Sequence, residues 1–209
     1  MTLILTAVCK DGLAVCADKR RTVKTAQSTK YYDDLDKIYC FADIDVVVFN
    51  HGINVICGRD WRSYCSDFES TCKSKNVSFD ELVDDFKSFV EPHIQKELQA
   101  NKFDDAVGFV FGAAEDKGIP IVRELFWKRS SQMEDIRHRG LVRTGIAAKY
   151  LNRYLTEHAD VNSVGYWARR STSEAISQLK QLFEEALKRR DDESGKEFSE
   201  TFDIYELRS

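Results

Sequence analysis

The chain has 209 residues, enough for one sizeable core or two small ones, and its 43% apolar and 32% charged content is an ordinary globular mixture. Net charge is −4 with Lys and Arg dispersed, so no basic stripe tracks phosphates and nucleic acid is not an expected partner. The longest apolar runs, Leu3-Ile4-Leu5 and Val46-Val47-Val48-Phe49, fall far short of the roughly 20 residues that span a bilayer, and the N-terminus has no basic lead of the secretory kind, so no membrane is expected either.

In chain order, residues 2–9 and 13–18 are short apolar runs rich in strand formers, with Lys10-Asp11-Gly12 between them as hairpin chemistry. Both runs are nearly continuous in apolar residues, the pattern of strands covered on two faces. Residues 38–42 and 46–50 read as a second hairpin turning near Asp43-Ile44-Asp45. The period then changes: Ile53, Cys57, Tyr64, Phe68 and Cys72 recur at helical spacing, with Trp61 on the same stripe. A second helix opens at the capping box Ser78-Phe79-Asp80-Glu81, carries Leu82, Phe86, Phe89, Val90 and Ile94, and is expected to kink at Pro92. Strands return at 106–114 and 119–127 around the turn Glu115-Asp116-Lys117-Gly118. Residues 128–139 are polar and charged and read as a surface loop. Leu141-Val142 leads through Arg143-Thr144-Gly145 into a short helix at 146–156. The last long helix opens on a second capping box, Ser171-Thr172-Ser173-Glu174, and runs to Leu187. A polar turn from Arg190 to Lys196 precedes a final strand at 199–207.

No linker or internal repeat interrupts this order, and residues 1–209 read as a single domain. Strands apolar on both faces, with helices in two blocks, predict an α+β fold: a four-layer αββα sandwich of two stacked, mainly antiparallel sheets between helical layers. The cysteines at 9, 16, 40, 57, 65 and 72 form no Cys-x-x-Cys pair and have no His at ligand spacing. They read as free thiols acting as small hydrophobes, which suits a reducing, cytoplasmic setting; no metal or cofactor is expected. Asn76-Val77-Ser78 is a glycosylation sequon by pattern only.

A hydroxyl is a poor nucleophile near pH 7 and needs an adjacent base. One solution puts it on the first residue of the mature chain, whose free α-amine, of pKa about 7.7–8.0, takes the proton. Thr2 meets that demand once Met1 is removed, and a small second residue permits the removal. Position alone is a weak signal, because Thr2 is equally a plain first strand residue.

Thr2 opens an apolar strand; a turn and a second apolar strand ending in Asp18 follow, then Lys19-Arg20-Arg21-Thr22. Lys37 opens the next strand, and His51-Gly52 ends the one after it. In these residues the chain resembles the proteasome β-subunit family of N-terminal-nucleophile hydrolases, including its bacterial and archaeal relatives. Members open with Thr, an apolar strand, a Gly turn, an apolar strand and an Asp-x-Arg-x-Thr segment, and Asp18 follows Thr2 by the family's 16 residues. The resemblance implies Thr2 as nucleophile, Asp18 as the buried acid orienting a lysine, and Lys37 as that lysine, whose charge lowers the pKa of the Thr hydroxyl and amine. Lys37 stands 35 residues after Thr2, a few more than usual, which an insertion at Gln27–Asp36 accounts for; Lys30 is the rival position.

By the same resemblance, Thr22 pairs its backbone with an extended peptide. The backbone amide of Gly52, or of His51, is the oxyanion donor, a contribution of roughly 2.7–4 kcal/mol in the transition state. Arg21, Leu35, Tyr39 and Phe49 line the pocket beside the nucleophile. The family has two glycines where this chain has His51-Gly52, and a helix-capping His at a strand–helix junction is the plain alternative. Thr144, in Arg143-Thr144-Gly145, stands where members have Gly-Ser-Gly, with its hydroxyl toward the amine. Asp191 and Ser194, in Asp191-Asp192-Glu193-Ser194-Gly195, match the Asp-x-x-Ser-Gly that supports the amine; a polar helix-ending turn is the alternative.

The resemblance covers nearly the whole chain, most specifically the first 52 residues, and implies a threonine-type endopeptidase. Its partners would be peptide or unfolded protein substrate, further copies of the chain in a ring, and an ATPase unfoldase. Competing readings are an inactive structural subunit of the same fold, an enzyme of the same machinery acting as a peptide ligase or on a small amide, and an unrelated binding module.

Overall fold

The computed structural model describes every residue except 1, 25, 42–43, 73–76, 103, 105, 115–119, 191–197 and 209. In chain order the elements are β1 (Ile4–Cys9), β2 (Gly12–Asp18), β3 (Arg21–Lys24), β4 (Thr29–Tyr32), β5 (Ile38–Phe41), β6 (Val46–Gly52), β7 (Val55–Ile56), β8 (Arg59–Asp60), α1 (Trp61–Cys72) and α2 (Phe79–Ala100). There follow β9 (Ala106–Ala114), β10 (Pro120–Lys128), β11 (Glu134–His138), β12 (Leu141–Thr144), a 3-10 segment (Ile146–Leu151), α3 (Asn152–Glu157), α4 (Val164–Ala168), α5 (Thr172–Arg189) and β13 (Phe202–Arg208). The chain forms two compact units: Met1–Lys37, Ala114–Ile121 and His138–Ser209 in one, Ile38–Ala113 and Val122–Arg137 in the other.

In the first unit β12, β1, β2 and β13 form an antiparallel sheet in that order. Period-2 alternation sends Leu3, Leu5, Ala7 and Cys9 to one face, where they join Ala14 and Cys16 in a core with Leu151, Leu155, Trp167, Leu179, Leu182 and Phe183. Ile4, Thr6, Leu13 and Val15, on the alternate positions, are buried as well, which is why these strands read as continuous apolar runs. The long helix α5 packs on β1 and β2 through Leu179, Leu182, Phe183 and Ala186. Each of the buried leucines and the phenylalanine contributes about 1.5–3 kcal/mol. Its capping box forms as read: Ser171 Oγ accepts from the Glu174 N–H while the Glu174 carboxylate accepts from the Ser171 N–H.

In the second unit β11, β10, β9, β6 and β5 form a sheet in that order, with β5–β6 and β6–β9 antiparallel. Its core is aromatic: Phe86 meets Phe68, Phe109 and Phe111 edge to face at 5.1–5.2 Å between ring centroids, and Trp61 meets Phe109 at 6.1 Å. The Ser78–Glu81 capping box opens α2, which runs unbroken past Pro92 to Ala100.

Several sequence expectations need correction. Residues 128–139 are not all loop: Glu134–His138 is β11, at the edge of its sheet, where charged side chains are at home and mask the strand pattern. The Gln27–Asp36 stretch, read only as an insertion, contains the strand β4, because Thr29–Tyr32 pairs with Arg21–Lys24. Ile53 and Cys57 lie outside any helix. Between β6 and α1 the chain makes the small β7–β8 hairpin, whose two turn residues Cys57 and Gly58 have φ of 49° and 78°, the primed turn that Asn-Gly usually signals. His51 therefore sits in a strand and caps no helix. The 146–156 helix is a 3-10 turn followed by α3, α4 is additional, and the last strand begins at Phe202.

Candidate active site

Thr2 lies two residues before β1, and the β1–β2 pairing carries on past the strand end as far as Leu3. The Asp18 N–H donates to the Leu3 carbonyl at 3.0 Å, and the Leu3 N–H donates to Asp18 Oδ1 at 2.8 Å. The Asp18 carboxylate is thereby turned toward the Thr2 end of β1. Lys37, on the approach to β5, donates from Nζ to Asp18 Oδ1 at 2.6 Å and to Thr2 Oγ1 at 3.0 Å. Thr2, Asp18 and Lys37 are each 1% exposed. Lys30 is exposed on β4, so Lys37 rather than Lys30 meets the Thr2 hydroxyl.

A buried ion pair is tolerated when the remaining lone pairs are satisfied. Asp18 Oδ1 accepts from Lys37 and Leu3, and Oδ2 accepts from the main-chain N–H of Arg20 at 2.9 Å and of Ser199 at 3.4 Å. Burial pulls the Lys37 pKa below its usual value, while the Asp18 carboxylate pulls the other way. The result is a desolvated amine aimed at a hydroxyl, an arrangement that either stabilises an alkoxide as ammonium or accepts a proton as free amine.

Two neighbours escaped the sequence reading. Ser199 is buried; its Oγ accepts from the Lys19 N–H at 2.9 Å and donates to the Thr201 carbonyl at 2.6 Å, which ties the approach to β13 against the end of β2. Nothing local marks it, since the residues it ties to the site, Asp18 and Lys19, lie some 180 residues away. Gly145 has φ of +88°, and a Cβ there would lie 2.0 Å from the Thr2 carbonyl oxygen, so a side chain would displace Thr2. The Thr-Gly pair before the 3-10 turn was its available signal. The Thr2 carbonyl also accepts from the Ala147 N–H at 3.3 Å.

Thr144 ends β12, beside β1 and opposite Ile4; its Oγ1 is buried and has no hydrogen-bond partner among the described residues, and the same is true of Thr22 Oγ1 on β3. Arg21 pairs with Asp34 and lies 4.8 Å over the Tyr32 ring. The Leu35 N–H donates to the Lys19 carbonyl. Asp191 and Ser194 lie outside the described residues, as does Met1.

In the second unit Phe49 is buried at the middle of β6, between Ile38 and Val110. Tyr39 donates to Glu69 at 2.7 Å. His51 stands directly opposite Gly108 on β9, and its ring lies over that glycine to reach Glu124 on β10, Nε2 to Oε1 2.9 Å. Gly52, exposed at the end of β6, has φ of +83°, and a Cβ there would meet the Ala106 carbonyl at 2.3 Å. A cleft of about 640 Å³ also lies in this unit, lined by Glu91, Leu98, Trp127, Arg129 and Met133 among others.

The six cysteines are free; burial pushes the Cys9 thiol up to about 12 and raises Cys16 and Cys65 as well, which keeps these three protonated and inert. Among the described residues no group of three or more His, Cys, Asp or Glu is placed to hold a metal ion, and no helix is long and apolar enough to cross a membrane.

No protein-family model matches the sequence, and no curated protein matches it. Solved structures do. Anbu (ancestral beta-subunit) from Yersinia bercovieri superposes with a TM-score of 0.65 at 14% identity, over 99% of this chain and 81% of that one. Anbu from Hyphomicrobium sp. strain MC1 gives 0.65 at 12% identity over 99% and 82%, and an Anbu (Gly-1) mutant from the same strain gives 0.62 at 12% over 100% and 82%. At these identities the likeness defines a fold, and that fold is proteasome-like.

Proposed function

We propose that the chain is a threonine-type N-terminal-nucleophile hydrolase that cleaves peptide bonds through an acyl-enzyme, with Thr2 as nucleophile after removal of Met1. The observation that carries this reading is the Lys37 amine, 3.0 Å from the Thr2 hydroxyl and 2.6 Å from Asp18, inside a buried cluster. In this reading the freed Thr2 α-amine takes the hydroxyl proton as Oγ1 attacks the substrate carbonyl. Lys37, as ammonium, lowers the cost of the developing alkoxide. A backbone N–H of Gly52 or His51 meets the oxyanion. The same proton passes to the leaving amine, and water then hydrolyses the ester and restores Thr2.

The Thr144 hydroxyl, without a hydrogen-bond partner among the described residues, is a ready acceptor for the freed amine, and Asp191 and Ser194 are assigned to support that amine. Thr22 is assigned to the peptide backbone, and Arg21 and Phe49 to the substrate pocket. The four-layer sandwich, a homo-oligomeric ring that closes the sites into a chamber, an ATPase unfoldase that feeds it and a cytoplasmic setting belong to the same reading. The test is intact-mass analysis of purified protein before and after a peptide epoxyketone. The expected result is loss of one methionine and one adduct, mapped to Thr2. A chain that keeps Met1 quantitatively and takes no adduct refutes the reading.

A further inference from the structure

Two arginine–aspartate pairs tie the β3–β4 hairpin to its continuation at the same sequence separation. Arg20 donates from Nε and Nη2 to the two oxygens of Asp33 at 2.6 and 2.7 Å, and Arg21 donates from the same two atoms to Asp34 at 3.2 and 2.9 Å. Such forks fix orientation as well as distance. A third tie crosses the same gap, from the Leu35 N–H to the Lys19 carbonyl at 3.0 Å. Three successive residues, 33 to 35, are thus fastened to residues 19 to 21, and Lys37 leaves from the end of the fastened stretch.

The two forks differ in setting. The Arg21 and Asp34 side chains are 38% and 58% exposed, and such a pair contributes little. The Arg20 side chain is 14% exposed, and the main-chain N–H of the same residue donates to Asp18 Oδ2, so its fork starts from a residue anchored on the Lys37–Asp18 cluster. The longer Gln27–Asp36 stretch then has a physical role: folded as β4 and its exit, it carries Asp33 to the arginine that follows the Asp18 strand.

We propose that Arg20 and Asp33 are positioning residues for Lys37: their fork clasps the exit of the β3–β4 hairpin and so holds the Lys37 amine at the Thr2 hydroxyl. The inference rests on the threonine-hydrolase reading for its catalytic meaning and on the geometry alone for the clasp. The clasp acts on charge as well as place. The charged groups acting on Lys37 are Asp18 at the end of β2, Arg20 just after it, and Asp33 on the exit of β4. Asp18 and Asp33 favour the ammonium, while burial and Arg20 disfavour it. Removing Arg20 alone raises the Lys37 pKa; removing Asp33 alone lowers it.

The experiment uses full-length protein with 13Cε-labelled lysine, in the parent and in the Arg20→Gln, Asp33→Asn and charge-swapped Arg20→Asp/Asp33→Arg variants. Lys37 titration is followed by NMR, epoxyketone labelling of Thr2 by mass, and folding by thermal unfolding. Both single variants are expected to move the Lys37 midpoint in opposite directions and to slow labelling about tenfold with unchanged probe affinity, as a small misplacement of a reacting group does. The swapped pair is expected to return labelling to within about threefold of the parent. A single variant that fails to fold leaves the swapped pair to decide, since its recovery requires the two side chains to meet. A parent that folds but takes no label sinks the enzymatic reading and leaves the NMR arm to judge the clasp. Unchanged Lys37 midpoints and parent labelling rates in both single variants, or midpoints shifted the same way, overturn the inference.

Discussion

Each unit buries an ionisable pair, and the two pairs have different surroundings. In the first, Lys37 and Asp18 meet at 2.6 Å with side chains 0% exposed, four donors converge on the carboxylate, and the lysine's second partner is a hydroxyl. In the second, His51 and Glu124 meet at 2.9 Å, with the imidazole laid over Gly108 and tilted against Phe126 at 5.2 Å. The histidine fills space that Gly108 leaves and links β6 to β10 across β9, which is a packing task. The lysine fills no such gap. A leucine would occupy comparable volume without the desolvation cost of a buried cation, and apolar replacements of buried ion pairs are often neutral or stabilising. What leucine cannot do is present a donor to Thr2. The comparison separates a pair that holds strands together from a pair placed for chemistry.

The sharpest way to break that distinction is Lys37→Ala. If the amine serves chemistry, epoxyketone labelling of Thr2 should fall about 10³-fold, within the range of a lost proton-handling group. Lys30→Ala, on the exposed strand β4, should label at the parent rate and change stability by less than about 0.5 kcal/mol. Equal losses in both variants would erase the contrast between the two lysines.

The next effect in size is Asp18→Asn, expected to slow labelling about 10²-fold. Its pH dependence carries the sign. Burial already places the Lys37 pKa below that of an ordinary lysine, and Asp18 is the main group opposing that shift. Activity that needs the ammonium is therefore lost, as pH rises, before an ordinary lysine would titrate. Asparagine removes the opposing charge, so the alkaline limb must move to lower pH still. A limb that stays put, or moves up, would mean that Asp18 does not act through Lys37.

The second unit offers a stability test. Gly108→Ala would set a Cβ 2.0 Å from His51 Nε2, so the ring must swing off Glu124 or the strands must part. The expected cost is about 1–3 kcal/mol, read as a lower urea midpoint. His51→Ala in the same chain frees the space, so the double variant should lose less than the sum of the two single changes. Strict additivity would show that the ring does not pack on Gly108 as described.

Legibility followed burial and sequence distance. β1 and β2 were readable because both faces are buried and the apolar run is continuous, and α2 and α5 because each opens on a capping box that forms. Asp18 was readable because its spacing from Thr2 matched a family pattern, and Lys37 because it opens a strand despite a longer spacing; the Lys37 side chain does meet both Thr2 and Asp18. β4 and β11 were hidden, since Thr-Lys-Tyr-Tyr and Glu-Asp-Ile-Arg-His are largely exposed and carry no period-2 apolar signal. The β7–β8 turn was hidden because Cys57 occupies a positive-φ position that usually takes Asn or Gly. Asp33 looked like one carboxylate among several until its partner was visible.

Ser199 is the case that sequence could not reach, and it carries the smallest predicted effect. Its main-chain N–H reaches Asp18 Oδ2, while its hydroxyl bridges the Lys19 N–H and the Thr201 carbonyl. Ser199→Ala deletes the bridge and leaves the main-chain contact to Asp18 in place. The Lys19 N–H retains the Thr201 carbonyl at 3.3 Å, so the loss is a weakened tie and not an orphaned donor. The expected cost is about 1 kcal/mol of stability, with labelling slowed by less than about tenfold. Ser199→Thr keeps the hydroxyl but adds a methyl group at a site with 0% exposure, so it should cost stability while sparing the bridge. The two variants therefore separate packing from hydrogen bonding. Measured side by side, slower labelling in the alanine variant with the threonine variant at the parent rate would assign the hydroxyl to holding Asp18. Slower labelling in both, in step with their unfolding midpoints, would assign Ser199 to packing, alongside His51 and Gly108.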